Sequence, residues 1–427
     1  MNDTNYAACV ALDWGDKQHA FALQIAEAKS LEAGQIEASP ERLHEWLEEL
    51  GKRCAGQPVA LALEAGHPGL VHALLGYAWL TIYPVHTAMA ARFRTALVPS
   101  GAKDDVPDAK LLLTLLLRHR DSLVALQLDG AQTRELAALV IARRDAVDRR
   151  TQMLSQLRSV LKVYYPQALE LSGEDLGAPL ALDWLERWPE LKRLLKAKSG
   201  TVRGFYAKHN VRSGEVIEAR LARIAQAKPL SEDRALIEPC ILQVQMFVEL
   251  VRVCQTHIQG FDRRIEEAFS AHPAADIFKQ LPGAGPVLAP RLLVAFGDRR
   301  ERYPDAASLQ KYAGIAPVKE KSGGHCWTHW RWRAPRFLRQ SFVEWAAQSV
   351  FHSLWAKAYY QQQKQVGGKK HHAIIRALAF KWIRVLWRCW QKGEAYDEAR
   401  YVASLKQRGS PLSAILEINS SPAKKNA

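Results

Sequence analysis

Hydrophobic and polar positions change their period as the chain proceeds. From Tyr6 to about Arg120, short alternating or continuously apolar runs are separated by stretches that repeat every three to four residues. Tyr6 to Asp13, Lys17 to Glu27 and Glu32 to Ser39 read as strands, with Gly15 turning the first into the second. Pro40 to Arg53 reads as a helix because Leu43, Trp46, Leu47 and Leu50 fall on one side of it. After the break at Gly56-Gln57-Pro58 come a buried strand from Val59 to Leu63, a helix from Pro68 to Tyr77 and a strand from Leu80 to Val85. Three antiparallel-type strands followed by alternating helices and strands predict a mixed α/β sheet of five strands.

Between Ala131 and Ala271 the period is helical. Arg134 to Tyr165 and Ile237 to Phe269 are long, with heavily charged faces, and predict an antiparallel helical hairpin or coiled-coil arm. Between them, Ser172 to Leu230 is interrupted by Gly173, Gly177, Pro179, Pro189, Gly200, Gly204 and Gly214, which predicts an irregular helical insertion. The expected organisation is α/β plus α: a sheet domain over 1–125, a helical region over 126–274, a mainly helical C-terminal domain over 275–405 and a tail over 406–427. The tail ends in a polar tract, Ser420 to Ala427.

The chain has 427 residues, which favours two or more domains. Its 48% apolar and 24% charged residues exclude a mainly disordered or collagen-like chain. Apolar runs such as Ala109 to Leu117 and Ala377 to Trp390 are cut by Lys or Arg before the roughly 20 residues a membrane span needs. With no secretory signal, a cytoplasmic, nucleoid-associated protein is expected. Six cysteines without a C-x-x-C pair argue against a disulfide framework and a structural zinc site.

The net charge of +15 points to a polyanionic partner. Up to Arg118 the chain is net negative, with ten basic and fourteen acidic residues, so the surplus lies elsewhere. Between Lys319 and Lys392 fifteen Lys or Arg face two acids, Glu320 and Glu344, and eight of the thirteen Trp fall in the same window. A soluble basic face over a Trp-rich core would look the same. Charge and rings together better fit a nucleic-acid surface, where cations hold phosphates and rings stack on bases.

Two predicted strands end in carboxylates, Val10-Ala11-Leu12-Asp13 and Leu61-Ala62-Leu63-Glu64, and Asp105 and Asp108 open a helix at i, i+3. The latter pair can share a helix face with Cβ atoms roughly 5 to 6 Å apart. Taken singly, Asp13 suits a turn, Asp105 a helix cap and Asp108 the first-turn dipole. Taken as an ordered set they suit Mg²⁺, which reverses the repulsion among carboxylates and can stabilise attacking and leaving oxygens of a phosphodiester. Asp16 and Asp104 are the neighbours most easily confused with them.

Phe278 to Gly285 joins a helix to an apolar run through Pro282-Gly283-Ala284-Gly285. This turn would let backbone N–H groups approach a phosphate, as in helix-hairpin-helix DNA binders, or simply connect two helices. Downstream, Ser322 is expected on a flexible basic loop, Lys319-Glu320-Lys321-Ser322-Gly323-Gly324, where cations could stabilise a phosphorane-like transition state. Most loop serines have no such duty. His325, Cys326 and His329 supply only three candidate zinc ligands.

In order and spacing these segments resemble the DEDD-type serine transposases of bacterial insertion sequences, the IS-one-ten family of bridge-RNA-guided recombinases, kin to the Piv/MooV invertases. Leu12-Asp13-Trp14-Gly15-Asp16-Lys17 is similar to the family's D-x-x-K strand end and Leu63-Glu64-Ala65-Gly66 to its second acid. Gly101-Ala102-Lys103-Asp104-Asp105-Val106-Pro107-Asp108-Ala109 is similar to its K-T-D-x-x-D-A segment. Leu281 to Pro286, Tyr312-Ala313-Gly314-Ile315-Ala316-Pro317 and Lys321-Ser322-Gly323 resemble P-G-I-G, Y-A-G-L-x-P and Q-S-G. Asp104 stands for the common Thr, Lys321 for the usual Gln, Pro107 is unusual at a helix start, and the basic helix after the Ser is here the Trp-rich Thr328 to Leu338.

The resemblance implies an RNase H-like (RuvC-like) N-terminal domain, a coiled-coil arm and a transposase domain with a helix-hairpin-helix-like motif. It implies Asp13, Glu64, Asp105 and Asp108 as Mg²⁺ ligands and Ser322 as the nucleophile that links transiently to DNA. Gly283, Gly285, Lys319, Lys321, Arg331, Arg333, Arg336 and Arg339 are the expected nucleic-acid contacts. Implied partners are donor and target DNA, a noncoding guide RNA and further copies of the chain in a dimer or tetramer, without a membrane. The competing readings are a metal-only RuvC-like nuclease or Holliday-junction resolvase, in which water attacks, and a non-catalytic nucleic-acid-binding protein.

Overall fold

A computed structural model describes residues 5–26, 30–64, 68–97, 105–368, 370–413 and 415–416, in two units, Met1–Leu128 and Asp129–Ala427. In the first unit the elements follow as β1 (Ala8–Asp13), β2 (Gln18–Ile25), β3 (Leu31–Glu37), α1 (Pro40–Arg53), β4 (Val59–Glu64), α2 (Pro68–Leu74), β5 (Leu80–Val85), α3 (Thr87–Leu97) and α4 (Asp105–His119). The strands form one sheet in the order β3-β2-β1-β4-β5. β1 and β3 flank β2 antiparallel, whereas β1, β4 and β5 run parallel. This is the expected five-stranded mixed sheet, consistent with an RNase H-like domain.

Alternation decides what each face carries. Val10, Leu12, Leu61 and Leu63 pack with Leu43, Leu47 and Leu50 of α1 and Leu70 and Leu74 of α2. The opposite face is alanine, at Ala11, Ala20, Ala22, Ala60 and Ala62, and is filled by Leu112, Leu113, Leu115 and Leu116 of α4. Each such leucine contributes about 1.5–3 kcal/mol on burial. The start of α1 is fixed locally: the Ser39 side chain accepts a hydrogen bond from the Arg42 N–H and Pro40 pre-sets the first turn. Pro107 lies in the first turn of α4, where its missing N–H has no intrahelical partner to lose.

In the second unit two long helices, α5 (Ala131–Tyr164) and α11 (Arg234–Ser270), run antiparallel. The ion pairs Arg264–Glu135 and Arg143–Asp262 join the start of α5 to the end of α11, and Leu157 and Leu161 share a core with Ile241 and Val244. The predicted insertion is α6 (Ala168–Leu171), α7 (Pro179–Arg187), α8 (Leu191–Leu195), α9 (Ser199–Lys208) and α10 (Gly214–Ala225). These pack around Trp184, Trp188, Phe205 and Tyr206.

The chain then forms α12 (Ala275–Lys279), α13 (Gly285–Phe296), α14 (Ala306–Tyr312), β6 (Val318–Ser322) and β7 (His325–His329). It closes with α15 (Arg336–His352), α16 (Leu354–Gly367), α17 (His371–Lys392) and α18 (Glu398–Gln407). Leu136, Val140, Ile265 and Phe269 of the long helices belong to the same core as Phe296, Phe342, Trp382 and Trp390, so residues on both sides of position 274 share one interior.

The tryptophans of the basic window are mainly that interior. Trp345, Trp355, Trp382 and Trp390 are fully buried. Their indole N–H groups donate to the Pro282 carbonyl at 3.1 Å, the Tyr396 hydroxyl at 2.8 Å, the Ser349 hydroxyl at 2.7 Å and the Gly297 carbonyl at 2.8 Å. The joint concentration of charge and rings therefore divides: cations outside, most rings inside, with Trp327 and Trp332 the exposed exceptions. Among the described residues no helix is long and apolar enough to cross a membrane.

Candidate functional site

β1 and β4 are paired in parallel with Leu12 opposite Leu63, so Asp13 and Glu64 end neighbouring strands at one edge of the sheet. Period-two alternation puts both on the alanine face that α4 covers. The direction of α4 follows from Arg120, just past its end, whose guanidinium lies 5.1 Å from the ring centroid of Tyr6, just before β1. α4 thus runs against β1, and its 15 residues rise about 22 Å beside about 20 Å for the six of the strand. Its first turn, with Asp105 and Asp108, consequently faces the edge bearing Asp13 and Glu64.

The four acids share a face and an edge, yet they do not close into a cage. Among the described residues no group of three or more His, Cys, Asp or Glu is arranged to hold a metal. Asp105 is exposed, whereas Asp108 is 5% exposed and gives both oxygens to Arg94 of α3, at 2.7 Å from Nε and 2.6 Å from a terminal nitrogen. Oxygen donors of this kind suit a hard divalent cation. Asp13, Glu64 and Asp105 are donors of that type, although Asp13 also has a partner within the protein, and Asp108 is committed to a guanidinium. Asp104, Lys103 and the Gly66 that follows Glu64 lie outside the described residues, as does the tail tract Ser420 to Ala427.

Ser322 is not on a loop. It ends β6 of a two-stranded hairpin closed by Gly323 and Gly324, whose φ angles of 53° and 84° are what a two-residue hairpin turn demands. Ser322, Lys319 and Lys321 are exposed. Ser322 pairs directly with His325, so the two side chains leave the same face with Cβ atoms roughly 4.5–5.5 Å apart. In the sequence His325 stands out only as a candidate zinc ligand beside Cys326 and His329. Adjacent His325 and Cys326 point to opposite faces, and His329 is already engaged, its ring nitrogens lying 2.7 Å from a Glu320 carboxylate oxygen and 2.6 Å from the Trp330 carbonyl. The Glu320 hydrogen bond, aided by that carbonyl, raises the His329 pKa above its usual value.

Gly283 and Gly285 both have positive φ, 73° and 54°. A Cβ on Gly283 would come within 2.9 Å of the Gln348 backbone in α15, so helix packing already requires glycine there, while the space beside Gly285 is open. Gly314, of the Tyr312-Ala313-Gly314 segment, likewise makes room for Ala334.

The segment expected to be a basic helix, Thr328 to Leu338, leaves β7 at His329 and becomes helical only at Arg336, because Pro335 sets the start. Arg333 and Arg336 are exposed and Arg331 is half-buried. Arg339 lies 3.4 Å from the carbonyls of Trp332 and Ala334, bracing the irregular stretch.

Residues 10–166 match the transposase family DEDD_Tnp_IS110, and residues 275–361 match the family described as Transposase IS116/IS110/IS902. Similar proteins include the "Mini-circle putative transposase for IS117" of Streptomyces coelicolor, 28% identical over 93% of this chain and 97% of the relative. An insertion element IS900 protein of Mycobacterium paratuberculosis is 28% identical over 81% of this chain and 85% of its own. An insertion element IS110 protein of Streptomyces coelicolor is 25% identical over 72% and 76%.

Proposed function

We propose that this chain, which carries transposase domains of the IS110/IS116/IS902 family, cuts and rejoins DNA strands with Ser322 as nucleophile and a divalent cation at the acidic edge of the sheet. The observation that carries the reading is Ser322 itself, exposed at the end of β6 with Lys319 and Lys321 before it, a glycine turn after it and a histidine directly opposite, within the matched segment 275–361.

Ser322 Oγ attacks a backbone phosphorus, the P–O bond to the leaving strand breaks, and a phosphoserine ester to DNA forms while the departing oxygen takes a proton. His325 is placed to accept the Oγ proton and return it to that oxygen. Lys319 and Lys321, on the other face of β6, hold the flanking phosphates. In the second step a hydroxyl of another strand attacks the same phosphorus, releases Ser322 and seals the new junction. Asp13, Glu64 and Asp105 would hold Mg²⁺, with Asp108 joining if released from Arg94; the ion would supply positive charge to phosphate oxygens. Two duplexes need more than one nucleophile, which calls for further copies of the chain, and the proposal includes a noncoding guide RNA that pairs with donor and target DNA.

Trapping decides the chemistry. Wild-type protein incubated with element-end DNA and Mg²⁺, then denatured, should carry a covalent DNA adduct, and Ser322→Ala should carry none. Cleavage without any adduct would support the metal-only nuclease, in which water attacks, and refute the serine mechanism. Sequencing of RNA that copurifies with the protein tests the guide.

A further inference from the structure

Five cations beyond Arg339, namely Arg376, Lys381, Arg384, Arg388 and Lys392, lie on α17. Its inner face buries Leu378, Trp382, Leu386 and Trp390. Its outer face carries Arg376, Phe380, Arg384, Arg388 and Lys392 at successive four-residue steps, which stack them in one stripe. Two cavities adjoin along this stripe and share Lys381 and Arg384 as their common wall. The first, about 590 Å³, is aromatic: Trp330, Tyr359 and Phe380 line it. The second, about 370 Å³, is lined by Arg388, Lys392, Arg400 and Arg408.

Neutralisation within the groove is incomplete. Of the acids on its rim, Glu394 pairs with Arg400 at 3.4 Å and Asp397 caps α18. Among the described residues Lys381, Arg384, Arg388 and Lys392 have no carboxylate within ion-pair distance. The Arg376 guanidinium lies 3.3 Å from the Trp330 ring centroid and Lys381 Nζ 5.1 Å from that of Tyr359, so the rings carry cations on their faces. Burial lowers the pKa of both cations, and the Arg384 charge lowers that of Lys381 further. A groove of unneutralised cations with an aromatic chamber at one end suits an unpaired nucleic-acid strand, which offers a phosphate row and free ring faces together.

We propose that the α17 groove holds an unpaired stretch of the DNA strand being processed, with bases in the chamber of Trp330, Tyr359 and Phe380 and phosphates along Arg384, Arg388 and Lys392. Arg376 to Lys392 spans about 24 Å of helix, the length of about seven nucleotides at a 3.4 Å rise. The choice of DNA rests on the reading of Ser322 as nucleophile: Thr328 and His329, which line the chamber, pair with Lys319 and Val318 on the strand that ends in Ser322. Four residues of strand put the serine about 14 Å away, about four nucleotides along.

The test uses full-length Ser322→Ala protein, which binds without reacting, and a twelve-nucleotide single strand titrated at several salt concentrations. Arg384→Ala with Arg388→Ala changes two exposed side chains. It should weaken single-stranded DNA binding at least tenfold and flatten the slope of log affinity against log salt by about 1.4, from 0.7 per lost phosphate contact. Trp330→Ala should abolish the quenching of a 2-aminopurine placed in the strand. An unchanged slope, with an unchanged melting curve, overturns the groove; a variant-sensitive preference for RNA of the same sequence overturns its assignment to DNA. Adduct formation by the unmutated protein is read separately, so a slope change without an adduct upholds the groove and rejects the serine mechanism.

Discussion

Arg94 and Asp108 offer a direct test of whether the acidic edge is a metal site or a structural ion pair. Replacing Arg94 by Leu keeps most of the side-chain volume and leaves a carboxylate that is only 5% exposed without its bidentate partner. Breaking a buried pair from one side costs about 3–5 kcal/mol; the 23% exposure of the Arg94 side chain lets water enter, so about 2–4 kcal/mol is the expected loss. For a unit of 128 residues that corresponds to roughly 10 °C in melting temperature. If Asp108 serves as a metal ligand, a divalent cation can take the place of the guanidinium. Mg²⁺ at a hundred times its dissociation constant would then return about 2.7 kcal/mol. In the wild type it must compete with Arg94 and gains less. The assay is calorimetric melting of wild type, Arg94→Leu and the Arg94→Leu, Asp108→Asn double variant with and without MgCl₂. Arg94→Leu should respond most, and the double variant, which lacks the stranded charge, should be more stable without metal and respond least. An equal Mg²⁺ response in all three would refute the metal role of Asp108 and leave it as the structural partner of Arg94.

His325→Asn should lower the rate of adduct formation at least tenfold, because the proton acceptor opposite Ser322 is gone; an unaltered rate would exclude His325. His272 is buried, which lowers its pKa against a smaller raising effect of Asp298. Its contribution to stability is therefore fully present above about pH 6.5 and lost as the unfolded chain gains a proton that the folded ring resists; denaturation midpoints at pH 7.5 and 5.5, with His272→Gln as control, should show that fall. Gly283→Ala should cost several kcal/mol, from positive φ together with collision against the Gln348 backbone, and Gly285→Ala about 1–2 kcal/mol from φ alone. Equal losses in urea unfolding would show that packing does not govern Gly283.

The sheet was readable because its strands have a core to face: Val-Ala-Leu-Asp and Leu-Ala-Leu-Glu alternate leucine-side and alanine-side positions, and the two edge acids follow from that register. α1 was readable to its ends because Ser39 and Pro40 open it locally. The β6–β7 hairpin buries nothing, so Lys319 to Ser322 and His325 to His329 carry no alternation, and Gly323-Gly324 was its one local cue. The pairing of His325 with Ser322 depends on the two-residue turn and could not be read before it. Arg94 and Asp108 meet through the packing of α3 on α4, which no spacing encodes. The fate of the tryptophans was encoded: Trp382, Leu386 and Trp390 recur every four residues, the mark of an inner helix face, with Arg384, Arg388 and Lys392 on the other side.

The rooting of α5 and α11 in the C-terminal core makes the helical pair a cantilever. Arg143 and Asp262 clamp it near the base, where Leu136 and Phe269 sit among the aromatic side chains that support α15 and α17, and its free end carries a separate core around Trp184. α5 alone is about 50 Å long. Arg291 of α13, buried where the arm meets α15, holds Glu344 at 2.6 Å. The same Glu344 binds Arg144 of the arm, so one carboxylate ties both α5 and α13 to α15 and fastens the arm a second time at its base.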